Sequence, residues 1–482
     1  MLKRPSFAAA AALLVGFFYV VTIREGHEWG DDFSMYIHHA ENIAQGTPYA
    51  ETGYIYNPDN PSIGPRVYPP GFPLLLAPVV KLFGLDLRAM KIVVIAFFVG
   101  SLLLIPHLFR AALPSPYLEA LVLVLGLNPF LWEFKDHILS DIPFLFFVLL
   151  SLRWFTQADA RSGVAAGIAA YAAYATRVLA IVLVPCFLAH DLIRHRTITR
   201  RTVVTCAVFI VLAIVQYVSW IRDDSYFDQF APTAATLLDN AVGYLRALSD
   251  LWQNGVFEPG RKVAFLAIGA AAAWGYARAL SAGASALEVF PLVYVAPLLL
   301  WPSYQGTRFL IPLVPFYLYY ALLGIRRIDE VVAERWGRRR VVFATFLTLV
   351  GLTYAGHYTT LRYDRISPGV TDPEARELFA FVRTATAPQD VFIFSKPRAL
   401  ALFTGRGAAA PPNSADPCRL WRYIAEIHAS YAITGPDALN PEVVAFGGFV
   451  SQFRTAFRQT LTNGEVAVYR VIPDSTPRSC RA

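Results

Sequence analysis

Apolar stretches of bilayer-spanning length, or nearly so, recur along this chain down to about residue 358, and that recurrence leaves few folds open. They lie near 6–23, 89–109, 117–132, 142–157, 163–176, 178–192, 202–220, 262–280, 286–302, 308–324 and 341–358, about eleven in all. Several are short for a hydrocarbon core of about 30 Å. Short spans are tolerated where neighbouring helices cover them or where they end at an internal cavity. The composition agrees: 56% of the 482 residues are hydrophobic and 16% charged, against about 25% charged in a soluble domain. The expected fold class is an all-α polytopic membrane protein.

The net charge of +7 does not argue for a nucleic-acid partner. The basic residues sit in short blocks between apolar runs, densest at Arg194-His195-Arg196 with Arg200-Arg201 and from Arg326 to Arg340. Cytoplasmic loops are expected to carry such blocks. With the N-terminus in the cytoplasm, the inside loops hold Lys3/Arg4, Arg110, Arg153/Arg161, Arg194–Arg201, Arg278 and Arg326–Arg340. Arg24-Glu25-Gly26 follows the first apolar run without a small-residue cleavage pattern, so that run reads as an uncleaved span. Three long segments then fall outside: 24–88, 221–261 and 359–482.

The last of these changes character and divides the chain into a membrane domain, 1–358, and a small α/β domain outside the membrane, 359–482. Asp372-Pro373-Glu374 opens a helix. Strand-like runs follow at Val391–Phe394, Tyr431–Thr434 and Val466–Val471, with helix-like segments near 418–428 and 441–457. Four cysteines exclude a disulfide-dense scaffold. Cys186 and Cys206 lie in apolar runs, whereas Cys418 and Cys480 share the polar tail, where a disulfide between them is expected. There is no P-loop, dinucleotide fingerprint, HExxH or paired CxxC.

Four segments carry groups that could do chemistry. Asp31 and Asp32 follow the first span, with Tyr36 four residues on; a carboxylate near apolar surroundings has a raised pKa and suits a general base. An N-cap role fits the same acids. Tyr68-Pro69-Pro70-Gly71 leads to an apolar run suited to a helix lying in the interface, with Arg66 upstream to meet a phosphate. Lys135-Asp136-His137 and Ser140-Asp141-Ile142-Pro143 lie between two apolar runs. Asp136, His137 and Asp141 are compatible with a divalent cation, and Asp141 equally with an N-cap. Arg177 stands nearly alone between spans, and Arg308 follows Tyr304-Gln305-Gly306-Thr307; isolated arginines on the outer face call for an anion.

In this order, residues 6–325 resemble the polytopic GT-C glycosyltransferases, in particular the family 39 protein O-mannosyltransferases and the lipid A aminoarabinose transferases. The resemblance rests on Asp32 and Tyr36 in the first outer loop, the Pro-Pro segment leading to Lys81-Leu82-Phe83-Gly84, Ser140-Asp141-Ile142-Pro143-Phe144, Arg177, and Arg308-Phe309-Leu310-Ile311-Pro312-Leu313. It implies an inverting hexosyl or pentosyl transfer from a polyprenyl-phosphate sugar to a protein, glycan or lipid acceptor. The first-loop Asp would be the base. The spacing to Tyr36 favours Asp32, whereas in the family's acid pair the first usually acts, so both stay candidates. Asp141 matches a second family acid. A family lysine beside the Pro-Pro segment has no counterpart, since Tyr68 precedes Pro69; Arg66 stands nearest. Arg66, Arg177 and Arg308 are the candidate phosphate ligands, and Tyr36, Tyr68, Asp136, His137 and Tyr304 further site candidates. No metal site is assigned. The expected location is a bacterial inner membrane with the site and tail in the periplasm. The competing reading is a lipid or sugar flippase, which would also need charge within the membrane.

Overall fold

The computed structural model describes residues 7–157, 160–220, 233–255, 257–302, 304–337, 340–414, 416–436, 441–473 and 477–480. Each expected span coincides with helix, but not always with one unbroken helix. The first is Phe7–Val21, and Leu87–Phe109, Arg200–Ser219, Glu258–Ser281 and Val341–Tyr358 are continuous. Among the described residues five helical stretches are long and apolar enough to cross a membrane, these last four and Thr307–Trp336. The 117–132 span is instead two helices, Tyr117–Gly126 and Pro129–Phe134, broken where Asn128 caps the second and Pro129 begins it. The 178–192 span starts as a 3-10 turn, Val178–Val182, before Leu183–Arg194. The 308–324 span starts the same way, at Thr307–Leu313. The protein is a multi-pass membrane protein, and these tight turns at span ends bring Arg177 and Arg308 to one place.

The helices run between two ends of different chemistry. At one end Arg326 donates to the Ala112 carbonyl, Arg194 to that of Gly283 and Arg201 to that of Gln157, so the basic loops lie together. At the other end Arg24 pairs with Asp136, Arg177 with Asp141 and Arg308 with Asp32. Two helices of the 24–88 segment, Asp32–Gln45 and Gly71–Phe83, pack together at this acidic end. A helix not expected from the sequence, Ala234–Asp250, occupies the 221–261 segment, of which 221–232 lies outside the described residues.

The tail folds into a six-stranded sheet that is not built from the tail alone. Strands β1 (Tyr54–Ile55), β2 (Val391–Ile393), β3 (Gly407–Ala409), β4 (Ala429–Thr434), β5 (Phe457–Thr462) and β6 (Ala467–Val471) lie in the order β1-β3-β2-β4-β6-β5. The first four are parallel and the last two antiparallel to their neighbours. β1 comes from the first loop, with Tyr54 opposite Ala408. Asn57 and Asn60 extend the seam, donating at 2.9 Å to the carbonyls of Ala410 and Pro411. Residues 441–457, expected as one helix, form a helix over Pro441–Gln452 and then the start of β5. Cys418 and Cys480 form the expected disulfide, and Cys186 is buried among the spans.

Candidate active site

Two carboxylates and the arginine between them define the site. Arg308 donates through Nη1 to Asp32 Oδ2 at 2.7 Å and through Nη2 to Asp141 Oδ2 at 3.3 Å. Arg177 Nη1 meets the other oxygen of Asp141 at 2.7 Å. Four segments distant in sequence thus converge, and each reaches the site for a local reason. Asp32 opens the Asp32–Gln45 helix, Asp141 opens Asp141–Phe155, Arg177 immediately precedes the 3-10 turn Val178–Val182, and Arg308 lies in the 3-10 turn Thr307–Leu313. Gly71 permits the approach of the Pro-Pro segment: a Cβ there would fall 2.5 Å from the Ala175 carbonyl, two residues before Arg177.

Asp32, Tyr36, Tyr68, Arg177 and Arg308 line a cavity of about 90 Å³, closed by Ile63, Trp301 and Phe309. Asp32 is about a quarter exposed to it, whereas the Asp141 side chain is buried behind the arginines. The Tyr68 hydroxyl donates to Asp32 Oδ1 at 2.5 Å. Tyr36 stacks on Tyr68 and shares a hydrogen bond with Ser140, the residue before Asp141.

The N-cap alternative fails: Asp31 holds the cap position of its helix without a capping hydrogen bond, whereas Asp32 and Asp141 are the first residues inside theirs, the second capped by position at Ser140. Asp31 points away from the cavity. Its Oδ1 accepts from the amides of Arg398 and Ala399, at the start of a tail helix, Pro397–Thr404. The neighbours are therefore electrostatic opposites. Burial pushes the Asp31 carboxyl up to about 6, against the pull of Arg398 and Lys396. Its Oδ2 is buried without a hydrogen-bond partner, 3.7 Å from Arg398 Nε. Burial also acts on Asp32, but Arg308 and Arg398, with the Tyr68 hydroxyl, outweigh it and hold the carboxyl at about 2.

Other sequence candidates lie elsewhere. Arg66 is exposed and does not line the cavity; the Pro on its N-terminal side turns its own carbonyl inward instead. Tyr304 packs edge-on against Tyr244, outside the lining. Asp136 is fully buried and paired with Arg24 at 2.8 Å and Lys135 at 2.6 Å, so its charge is spent on packing the spans. His137 faces a second cavity of about 400 Å³ with Glu28 and Glu133, its Nδ1 3.2 Å from Glu28. Asp136, His137 and Asp141 thus point to three different places and do not form a common ligand set. Among the described residues, the one His/Asp group compact enough for a cation is His190, Asp191 and His195 at the basic end, with Arg201 3.9 Å from Asp191.

Sequence reasoning missed Arg398. It sits in the tail, yet its guanidinium reaches Asp32 at 3.3 Å and Tyr68 at 2.7 Å. Only the Lys396-Pro397-Arg398 run marks it locally, and nothing in that run points to the first loop.

No sequence-family profile matches the chain, and no curated protein resembles it in sequence. Solved structures do resemble it in shape. ArnT from Cupriavidus metallidurans bound to undecaprenyl phosphate aligns over 98% of both chains, at 11% identity and TM-score 0.57. The Archaeoglobus fulgidus oligosaccharyltransferase tethered with an acceptor peptide aligns over 98% of this chain and 75% of its own, at 11% identity and TM-score 0.60. The mycobacterial arabinofuranosyltransferase AftD aligns over 98% of this chain and 40% of its own, at 11% identity and TM-score 0.58. All three are GT-C glycosyltransferases, and the fold of this chain is the GT-C fold.

Proposed function

We propose that the protein is an inverting glycosyltransferase, moving a hexosyl or pentosyl unit from a polyprenyl-phosphate donor to an acceptor hydroxyl. The observation that carries the reading is the Asp32–Arg308–Asp141–Arg177 chain, three of whose members line the cavity with Asp141 buried behind them. Of the charged side chains that line the cavity, Arg177 and Arg308 are cations and Asp32 is the one carboxylate, which suits an anionic donor. Asp32 takes the acceptor proton and the freed oxygen attacks the anomeric carbon. The bond from that carbon to the phosphate oxygen breaks, and its electron pair leaves with prenyl phosphate. Arg177 and Arg308 stabilise the charge developing on the leaving group.

A carboxylate held near pKa 2 is a poor base, and the donor itself remedies this. A phosphate drawing Arg308 towards it weakens the hold on Asp32 and raises its basicity when the acceptor must be deprotonated. An apolar groove of about 850 Å³, walled by Leu298, Leu313, Phe316 and Leu310, the residue after Phe309 of the cavity lining, suits a prenyl tail. The basic loops at the opposite end favour a bacterial inner membrane with the site and tail facing the periplasm.

The test is incubation of purified protein with hexosyl and pentosyl polyprenyl phosphates and a mixed acceptor extract. Free prenyl phosphate and an inverted product are expected. Movement of the intact lipid-linked sugar across a vesicle without cleavage would instead support a flippase.

A further inference from the structure

The wall of the donor cavity is built by residues before position 310, yet a charged side chain pressed against its back comes from the tail. Arg398 is 1% exposed. Its Nη1 donates to Asp32 and Tyr68, and its Nη2 to the Pro65 carbonyl at 2.9 Å. The guanidinium carbon lies 4.7 Å and 4.9 Å from the ring centres of Tyr54 and Tyr68. Gly64 makes room for it: φ there is +106°, and a Cβ would come within 2.8 Å of Arg398 Nη2. A buried guanidinium is unfavourable unless paired, and the acids paired with this one are Asp31 and Asp32. Arg398 does not line the cavity, so a donor phosphate has no direct access to it.

We propose that Arg398 is a positioning residue for sugar transfer: from the tail, it fixes the orientation and ionised state of Asp32 without touching the donor. This rests on the reading of Asp32 as the base. The groups that face Asp32 are Arg308 from the Thr307–Leu313 turn, Arg398 from the tail, the Tyr68 and Tyr36 hydroxyls, and the neighbouring Asp31. Of the two cations, Arg308 lines the cavity and can be drawn to the phosphate. Arg398 is the one that stays on Asp32 through the reaction. The tail is then part of the catalytic unit, bound at two points: its amides on Asp31 and its guanidinium on Asp32.

The experiment compares Arg398→Gln, Arg398→Lys and Gly64→Ala with Arg419→Ala, which removes a separate, exposed ion pair between the tail and Asp59. For Arg398→Gln, kcat falls while the donor KM stays near wild type, and the acidic limb of the kcat–pH profile moves up by about one to two pH units. Arg398→Lys, which keeps the charge, returns the limb towards wild type. Gly64→Ala, which displaces the guanidinium without deleting it, moves the limb in the same direction as Gln and stands in if that variant does not fold. Arg419→Ala leaves it in place. A purely structural role predicts that Gln and Lys lower kcat and melting temperature alike with the limb unmoved, which overturns the proposal. A rise confined to donor KM overturns it too. An infrared pH titration, with the Asp32 band identified by its loss in Asp32→Asn, gives a readout independent of turnover. If the wild type transfers no sugar, the functional reading fails, while a band shifted to higher pH in Arg398→Gln still supports Arg398 as the group that holds Asp32 ionised.

Discussion

Asp31 and Asp32 are adjacent in sequence and share a backbone turn, yet the structure gives them different partners: Arg308 and Tyr68 for Asp32, the Arg398 and Ala399 amides for Asp31. Asp32→Asn keeps the size and most hydrogen bonding but removes the proposed base, so turnover is expected to fall by about 10²–10⁴-fold with folding intact. Asp31→Asn keeps an acceptor for the Arg398 and Ala399 amides and is expected to retain most activity. Loss of both activities to the same degree would overturn this division. The pH dependence of stability follows, with opposite signs. Asp32, depressed to about 2, contributes stability that is present above the ordinary carboxyl value of about 3.9 and lost as pH falls through the folded value. Asp31, raised to about 6, contributes stability that is present below about 3.9 and lost as pH rises through the folded value. Melting temperature is therefore expected to decline between about pH 4 and 6 through Asp31, and Asp31→Asn should flatten that segment. An unchanged slope in the variant would remove Asp31 as its source.

At the scale of elements, the ends of the spans are held by buried charge as well as by apolar packing. Lys91, in the Leu87–Phe109 helix, donates to the carbonyls of Arg24 and Gly26 at 2.7 and 2.6 Å, and its Nζ lies 3.7 Å from Asp136. This staples the chain leaving the first span just before Asp31 and Asp32. Lys91→Met strands two carbonyls and part of the Asp136 charge in a dry site, which typically costs about 3–5 kcal/mol. Thermal unfolding in detergent should show the loss, while the donor KM of the folded fraction stays near wild type. A rise in donor KM without a stability loss would place Lys91 at the donor instead. In the tail, Cys418 and Cys480 lie 62 residues apart and close a loop worth about 4 kcal/mol by chain entropy. Intact mass with and without reductant should differ by two hydrogens, and the reduced tail should melt earlier. Identical masses would mean that the pair stays reduced.

For the molecule as a whole, the two ends of the bundle define sidedness. The Arg194–Arg201 block and Arg326 lie at one end, and the acids and sheet at the other. Single cysteines introduced near Arg196 and near Tyr363 should therefore react oppositely with an impermeant thiol reagent applied to intact cells. Labelling near Tyr363 and protection near Arg196 is the expected pattern; the reverse would invert the orientation. The sheet makes a second whole-molecule statement. Because β1 belongs to the first loop and pairs with β3 of the tail, neither segment completes the sheet without the other. Removing the tail would expose Tyr54 and release Arg398 from Asp32.

The spans, the two polar ends and the candidate acids were legible in the sequence because each leaves a local signal. A run of apolar residues must be covered by lipid or protein wherever it folds. An isolated arginine between such runs needs an anion. Asp32, Asp141, Arg177 and Arg308 could be singled out on these grounds, and so could the tail helix from Pro373 and strands β2, β4 and β6. What the residues do to one another was not legible. Whether Asp31 or Asp32 faces the cavity depends on one turn of backbone, and both have the same composition around them. Arg66 and Arg308 look alike as isolated basic residues, but one is exposed and the other bridges two acids 276 and 167 residues away. β1 is two residues long and β3 is Gly-Ala-Ala, too short and too small to show an alternating pattern. Arg398 is the extreme case: its partners lie more than 300 residues away, and only folding of the tail onto the first loop takes water from its charge and makes Asp32 the group that answers it.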